Sequence, residues 1–110
     1  MKQGEIWDLY LNPTKGSEQS GRRPAVIISG NMLNKYLQVV IVCPLTTSVK
    51  NYKGNLILKP NATNGLSKIS EVLTFHVHSV SKTRLENKIG QISLKDVAII
   101  KKTLNDILKY

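Results

Sequence analysis

Two stretches of the chain gather side chains able to handle a phosphodiester. Gly16-Ser17-Glu18-Gln19-Ser20-Gly21-Arg22-Arg23-Pro24 brings a carboxylate, an amide and two guanidiniums to the mouth of an apolar segment. Pro44-Leu45-Thr46-Thr47-Ser48 sets three hydroxyls in a row directly after another. Loops at the ends of core strands are where sites are usually built. An RNA strand can be cut without a metal, because its own 2′-hydroxyl attacks the neighbouring phosphorus. The protein then has to orient the phosphate, stabilise the charge that builds on it and manage two protons. A guanidinium matches two phosphate oxygens at once and stays charged, and a hydroxyl can donate to another. Arg23 and Thr46 are such a pair if the fold brings their loops together. The plain alternative is a solvated turn in the first stretch and local backbone hydrogen bonds from the hydroxyls of the second.

Other chemistries have less to work with. Cys43 lies inside the apolar run Val39-Val40-Ile41-Val42-Cys43, where a thiol packs as a small hydrophobe. One Cys and two His give no zinc-ligand spacing, so no metal site and no cofactor are expected. Sixteen Lys and Arg against seven Asp and Glu leave a net charge of +9, a positive field that attracts polyanions or serves solubility alone. A single Trp7 and an aromatic share of 5% argue against a broad platform for stacking bases.

The elements that must position these groups are short. At 110 residues a single domain is expected. Mean hydropathy is −0.15 and no long uncharged apolar run is present, which excludes a membrane-spanning helix. The opening Met1-Lys2-Gln3-Gly4-Glu5 has no apolar stretch, so no secretory signal is read and a cytoplasmic protein is expected. Residues 4–11 are rich in β-formers and stop at Asn12-Pro13, a first strand. Segments 24–29 and 38–43 are apolar runs suited to strands buried on both faces, and 55–59 is a shorter strand closed by Pro60. Alternation from 73 to 80 predicts a strand with Leu73, Phe75 and Val77 on the core side and Thr74, His76 and His78 on the polar side. Ser93, with Asp96 three residues on, caps a helix whose stripe is Val97, Ile100, Leu104, Ile107 and Leu108. Five or six short strands and one C-terminal helix predict a small, strongly bent sheet or barrel, since an open sheet would leave edges exposed.

Gly4-Glu5-Ile6-Trp7, Asn12-Pro13-Thr14-Lys15-Gly16-Ser17-Glu18-Gln19, Arg22-Arg23-Pro24-Ala25-Val26-Ile27-Ile28-Ser29 and Pro44-Leu45-Thr46-Thr47 resemble, in order and spacing, the MazF/PemK family of toxin ribonucleases. The resemblance continues through Gly65-Leu66-Ser67-Lys68, Thr74-Phe75-His76, Ser79-Val80-Ser81 and Arg84-Leu85, so it spans nearly the whole chain. It implies a mainly β (α+β) fold, an SH3-like small barrel of the MazF/PemK/CcdB type with a C-terminal amphipathic helix. It also implies a homodimer that cuts single-stranded RNA at a short sequence and is silenced by a cognate antitoxin. Operator DNA would be met only through the antitoxin complex. By the same resemblance Arg23 and Thr46 are the catalytic pair, with Glu18, Gln19 and Thr47 supporting the site.

The family pattern is broken on the strand matching 73–80. Some members carry an acid followed by glutamine there, with a basic residue two positions on; this chain has Phe75, His76 and His78. Phe75 cannot take an acid-base role. The two imidazoles, which titrate near neutrality as a class, are read as solvent-facing strand residues or RNA contacts, with proton transfer as the sharper alternative. Arg22, Lys50 and Lys53 are read as further contacts to the RNA backbone, which orient a strand without reading its bases. An acidic antitoxin segment is expected on charge grounds. Fold alone does not decide function, so two competing readings stand: a non-catalytic poison of a protein such as a topoisomerase, and a nucleic-acid-binding module that has lost activity.

Overall fold

The computed structural model describes residues 1–10 and 21–110, and of Leu11 the backbone. Strands β1 (Glu5–Leu11), β2 (Gly21–Ile27), β3 (Val39–Thr46), β4 (Ile57–Leu58), β5 (Ser70–Val72), β6 (His78–Ser81) and β7 (Leu85–Gln91) build a curled antiparallel sheet. Helix α1 (Asn31–Tyr36) follows β2, and α2 (Leu94–Lys109) follows β7. The strand order is β4-β5-β3-β2-β1-β7, with β6 also paired to β3. The mainly β expectation with a C-terminal helix is thereby met. Among the described residues no helix is long and apolar enough to cross a membrane.

Both faces of the central strands are covered, which is why their sequences read as unbroken apolar runs. Along β2 the side chains alternate between two clusters. Val26 packs with Ile6, Cys43, Leu45, Val72 and Ile100, and Ala25 and Ile27 pack with Leu9, Val42, Val80 and Leu85. Burying each Val, Leu or Ile among them contributes roughly 1.5–3 kcal/mol. Cys43 is fully buried, and burial pushes its thiol up to about 12, so it stays protonated and inert, as the packing reading expects.

Helix α2 starts as its sequence predicts, with Ser93 Oγ accepting the Asp96 N–H at 3.1 Å. Val97 and Ile100 reach the core, but the stripe outruns the surface beneath it: Ile107 and Leu108 are 44% and 78% exposed. The predicted strand at 55–59 shrinks to Ile57–Leu58. Strand β7 and helix α1 go unpredicted, β7 because Leu-Glu-Asn-Lys-Ile-Gly-Gln shows little alternation and lies at the sheet's charged edge.

The larger correction falls on 73–80, which is not one strand. Residues Thr74–His76 form a 3-10 turn, with Thr74 fully buried and Phe75 exposed, the reverse of the predicted faces. The cause is a change of partner position on β3. Val72 lies opposite Leu45 and His78 opposite Val42, so six steps along one chain span three along the other, and the turn coils the surplus.

These packing differences along α2 are measurable. Ile100→Ala is expected to lower stability by about 3 kcal/mol through cavity formation, and Leu108→Ala by less than about 0.5 kcal/mol. Urea midpoints at unchanged slope check both values; equal losses would contradict the packing described.

Candidate active site

The β2–β3 ladder runs Ile27↔Val42, Val26↔Cys43, Ala25↔Pro44 and ends there. Its end coincides with a proline on each strand, Pro24 and Pro44, and neither has an N–H to donate. Continuing the same register two residues sets Arg23 across from Thr46. By alternation both side chains leave on the face that carries Ala25, Ile27 and Val42. Arg22, Arg23, Pro24, Leu45, Thr46, Thr47 and Ser48 line a solvent-open groove of about 280 Å³ at this point. A larger cavity of about 640 Å³ lies between residues 53–54 and α2, but it lacks a guanidinium paired with a hydroxyl.

Each wall of the groove is held differently. Arg23 is exposed and sits on β2 where that strand still pairs with β1, opposite Leu9. Arg22 reaches across β1 to Glu86 on β7 at 3.0 Å, an exposed ion pair worth at most about 1 kcal/mol, which a phosphate can displace. Thr46 is half-buried, and its Oγ1 accepts the Ser48 N–H at 3.1 Å. Because the oxygen accepts that bond, the hydroxyl proton is left to donate.

The stretch after Thr46 is organised by a residue that motif reading passed over. Glu71 lies opposite Thr46 on β5 and is fully buried. Its Oε1 accepts the N–H groups of Lys50 and Asn51 at 2.8 and 2.9 Å. Its Oε2 accepts the Tyr52 N–H and Asn55 Nδ2, both at 2.9 Å. Three successive backbone N–H groups converging on one anion form a nest, and the positive φ of 56° at Asn51 shapes it. Burial pushes the Glu71 carboxyl up, but these four donors outweigh it and hold the group below its ordinary value of 4.5. Farther along, Thr103 Oγ1 of α2 donates to the Gly54 carbonyl and ties the same segment to the helix. The available signal was an acid inside the apolar-flanked Ile69-Ser70-Glu71-Val72-Leu73.

Of the residues singled out from sequence, Arg22, Arg23, Thr46 and Thr47 meet at the groove. Glu18 and Gln19 lie outside the described residues. Lys50 and Lys53 stand exposed on the segment folded around Glu71. His76 and His78 are exposed but do not line the groove. His78 Nδ1 donates to the His76 carbonyl at 2.8 Å, which in the neutral ring leaves Nε2 as the acceptor.

The chain is similar to known proteins over nearly its whole length. The family model for the PemK-like, MazF-like toxin of type II toxin-antitoxin systems matches residues 2–108. Endoribonuclease MazF9 of Mycobacterium tuberculosis is 29% identical over 109 residues, covering 94% of this chain and 92% of its own. The endoribonuclease toxin MazF of Escherichia coli is 32% identical over 104 residues, with 94% and 88% covered. Among solved structures, a MazE-MazF crystal structure from Deinococcus radiodurans superposes with a TM-score of 0.83 at 28% identity, covering 98% of this chain and 95% of that one.

Glu71 carries a testable linkage. A carboxyl held low in the folded state contributes stability that is complete above its ordinary value of 4.5 and is lost as the pH falls through the lower folded value. Glu71→Gln turns an amide N–H₂ toward backbone donors and is expected to cost about 3 kcal/mol at neutral pH. The variant's stability should also fall less steeply on acidification. Denaturation midpoints from pH 7 to pH 3 decide it; parallel curves for the two proteins would refute the role.

Proposed function

The chain belongs to the PemK-like, MazF-like toxin family of type II toxin-antitoxin systems, and from that premise we propose a sequence-specific, metal-independent endoribonuclease acting on single-stranded RNA. The observation that carries the reading is the groove where Arg23 and Thr46, 23 positions apart in sequence, line one opening beyond the end of the β2–β3 ladder. Its relatives named above are endoribonucleases, and nearly their full length is matched.

In the proposed reaction the substrate's 2′-oxygen bonds to phosphorus while the bond from phosphorus to the 5′-oxygen breaks. The products are a 2′,3′-cyclic phosphate and a 5′-hydroxyl. The 2′-hydroxyl gives up its proton and the departing 5′-oxygen gains one. Arg23 neutralises the charge that accumulates on the non-bridging oxygens; a guanidinium remains protonated at neutral pH and so serves as an electrostatic clamp rather than a proton carrier. Thr46 donates its hydroxyl proton in a hydrogen bond to a phosphate oxygen, its geometry set by the Ser48 N–H. Thr47 supports the same wall, and Glu18 and Gln19 are assigned to the site by family resemblance. What supports metal independence is the cationic group in the groove, which can neutralise the phosphate charge without an added ion.

Arg22, Lys50 and Lys53 extend the cationic surface along which a strand's phosphates would run, and His76 and His78 stand on the same side of β3 as β5 and β6. The +9 charge favours a cognate antitoxin with an acidic segment, and a relative from Deinococcus radiodurans is solved as a MazE-MazF complex. We assign a homodimer as the working assembly, with operator DNA engaged only through the antitoxin complex.

Purified protein incubated with a long RNA and a chelator should produce new 5′-hydroxyl ends at one short motif. Arg23→Lys and Thr46→Ala should each lower kcat/KM at least a hundredfold while leaving the urea midpoint nearly unchanged. Loss of cleavage on chelation, or near-full activity in Arg23→Lys, would overturn the mechanism.

A further inference from the structure

Although aromatic residues make up only 5% of the chain, three rings stand together at one place on its surface. Tyr52 and Phe75 are 50% and 47% exposed, with ring centroids 5.5 Å apart and planes at 88°. His76, also exposed, lies 4.5 Å from Phe75 at 47°. A chain with one phenylalanine would ordinarily bury it, and the alternation of 73–80 places it inside. The 3-10 turn instead buries Thr74 and turns Phe75 out.

Both segments that carry the rings are fastened to the end of β3 that holds Thr46. Tyr52 donates its backbone N–H to Glu71, which sits opposite Thr46, and Leu73 donates its N–H to the Pro44 carbonyl at 2.9 Å. The turn itself closes with His76 and Val77 N–H groups bonded to the carbonyls of Leu73 and Thr74. The rings are therefore set on fixed backbone before any ligand arrives, which lowers the entropy cost of binding. The same segment carries Lys50 and Lys53, and His78 is tied to the His76 carbonyl.

Exposed rings flanked by cations are the composition that holds an unpaired nucleotide: the ring stacks on a base of any identity, and the cations follow the phosphates. A base in a duplex is covered by its neighbours and its partner, so such a site selects single strands. We infer that Tyr52, Phe75 and His76 form a base-stacking subsite that takes one unpaired nucleotide near the scissile phosphate, with Phe75 as its central ring. This rests on the ribonuclease reading and adds to it a means of retaining the strand. It also gives a physical role to Phe75 at a position where an acid-base group is lacking. The rings are one local cluster and not the broad platform that the low aromatic content argues against.

The test separates this inference from the nuclease assignment. A fluorescently labelled, mixed-sequence single-stranded oligonucleotide with 2′-deoxy sugars cannot undergo attack by a 2′-oxygen, so anisotropy reads binding alone. Phe75→Leu, which keeps apolar bulk at an exposed position, should weaken binding about tenfold, and Phe75→Trp should bind at least as well as the parent. Replacing the bases with abasic sites should weaken the parent by a similar or larger factor, and Phe75→Leu should discriminate less between the two oligonucleotides. On RNA that the parent cleaves, the same variant should raise KM with little change in kcat. Unaltered binding and unaltered KM in Phe75→Leu would overturn the subsite, and a selective loss of antitoxin affinity in that variant would reassign the rings to a protein partner. A parent that stacks bases but cuts no RNA would sink the nuclease reading and leave the subsite standing.

Discussion

Among the described strands β3 pairs with three, and the site depends on where those pairings stop. On one edge it bonds to β2 through Ala25, Val26 and Ile27; on the other its first half bonds to β6 and its last residues to β5. Between the two pairings on the second edge, six steps from Val72 to His78 span three on β3, and the surplus coils into the turn at Thr74–His76. Where the β2 ladder gives out, at Pro24 and Pro44, backbone pairing is replaced by an opening lined with side chains. The groove is thus a consequence of where hydrogen bonds stop. An open end in a ladder normally exposes unsatisfied N–H groups; two prolines remove two of the donors.

Acidic residues are few, and those described mostly serve the fold. Glu71 is enclosed by four donors, and Glu5 accepts from Trp7 Nε1 and the Lys2 N–H while facing Lys88 at 3.2 Å. Burial raises the Glu5 carboxyl, and these partners together bring it below its ordinary value. Glu86 meets Arg22, Asp106 meets Lys102, and Asp96 sits in the first turn of α2, where the helix dipole favours a negative charge. Sixteen Lys and Arg against seven acids leave the net charge at +9, which suits attraction of a polyanion to the surface.

What the sequence reveals follows from how locally each feature is determined. The cap of α2 is legible because Ser93 and Asp96 are three residues apart and the Ser93 Oγ accepts the Asp96 N–H. The apolar runs of β2 and β3 are legible because burial on both faces demands them. Arg23 and Thr46 stand out by residue type and by family resemblance, but their approach depends on a ladder between strands distant in sequence. Residues 73–80 mislead because a period of two describes a strand only while its partner advances at the same rate, and here β3 does not. Glu71 escapes notice for a related reason. Its four bonds run to residues 16 to 21 positions away, and a lone acid among apolar neighbours has no motif.

In the proposed reaction the substrate supplies its own nucleophile, so the protein would need rigid positions for charge and hydrogen bonding more than a battery of reactive groups. Arg23 gains rigidity from β1 on one side of the groove. Thr46 gains it from the Ser48 N–H and from its place opposite a buried carboxylate on the other. Replacing Glu71 with an apolar residue of similar size would leave the Lys50, Asn51 and Tyr52 N–H groups without an acceptor, so the wall carrying Thr47 and Ser48 would have to refold around water. The buried charge is tolerated at this depth because it shapes the segment next to the groove, where a displacement of about an ångström is enough to spoil alignment.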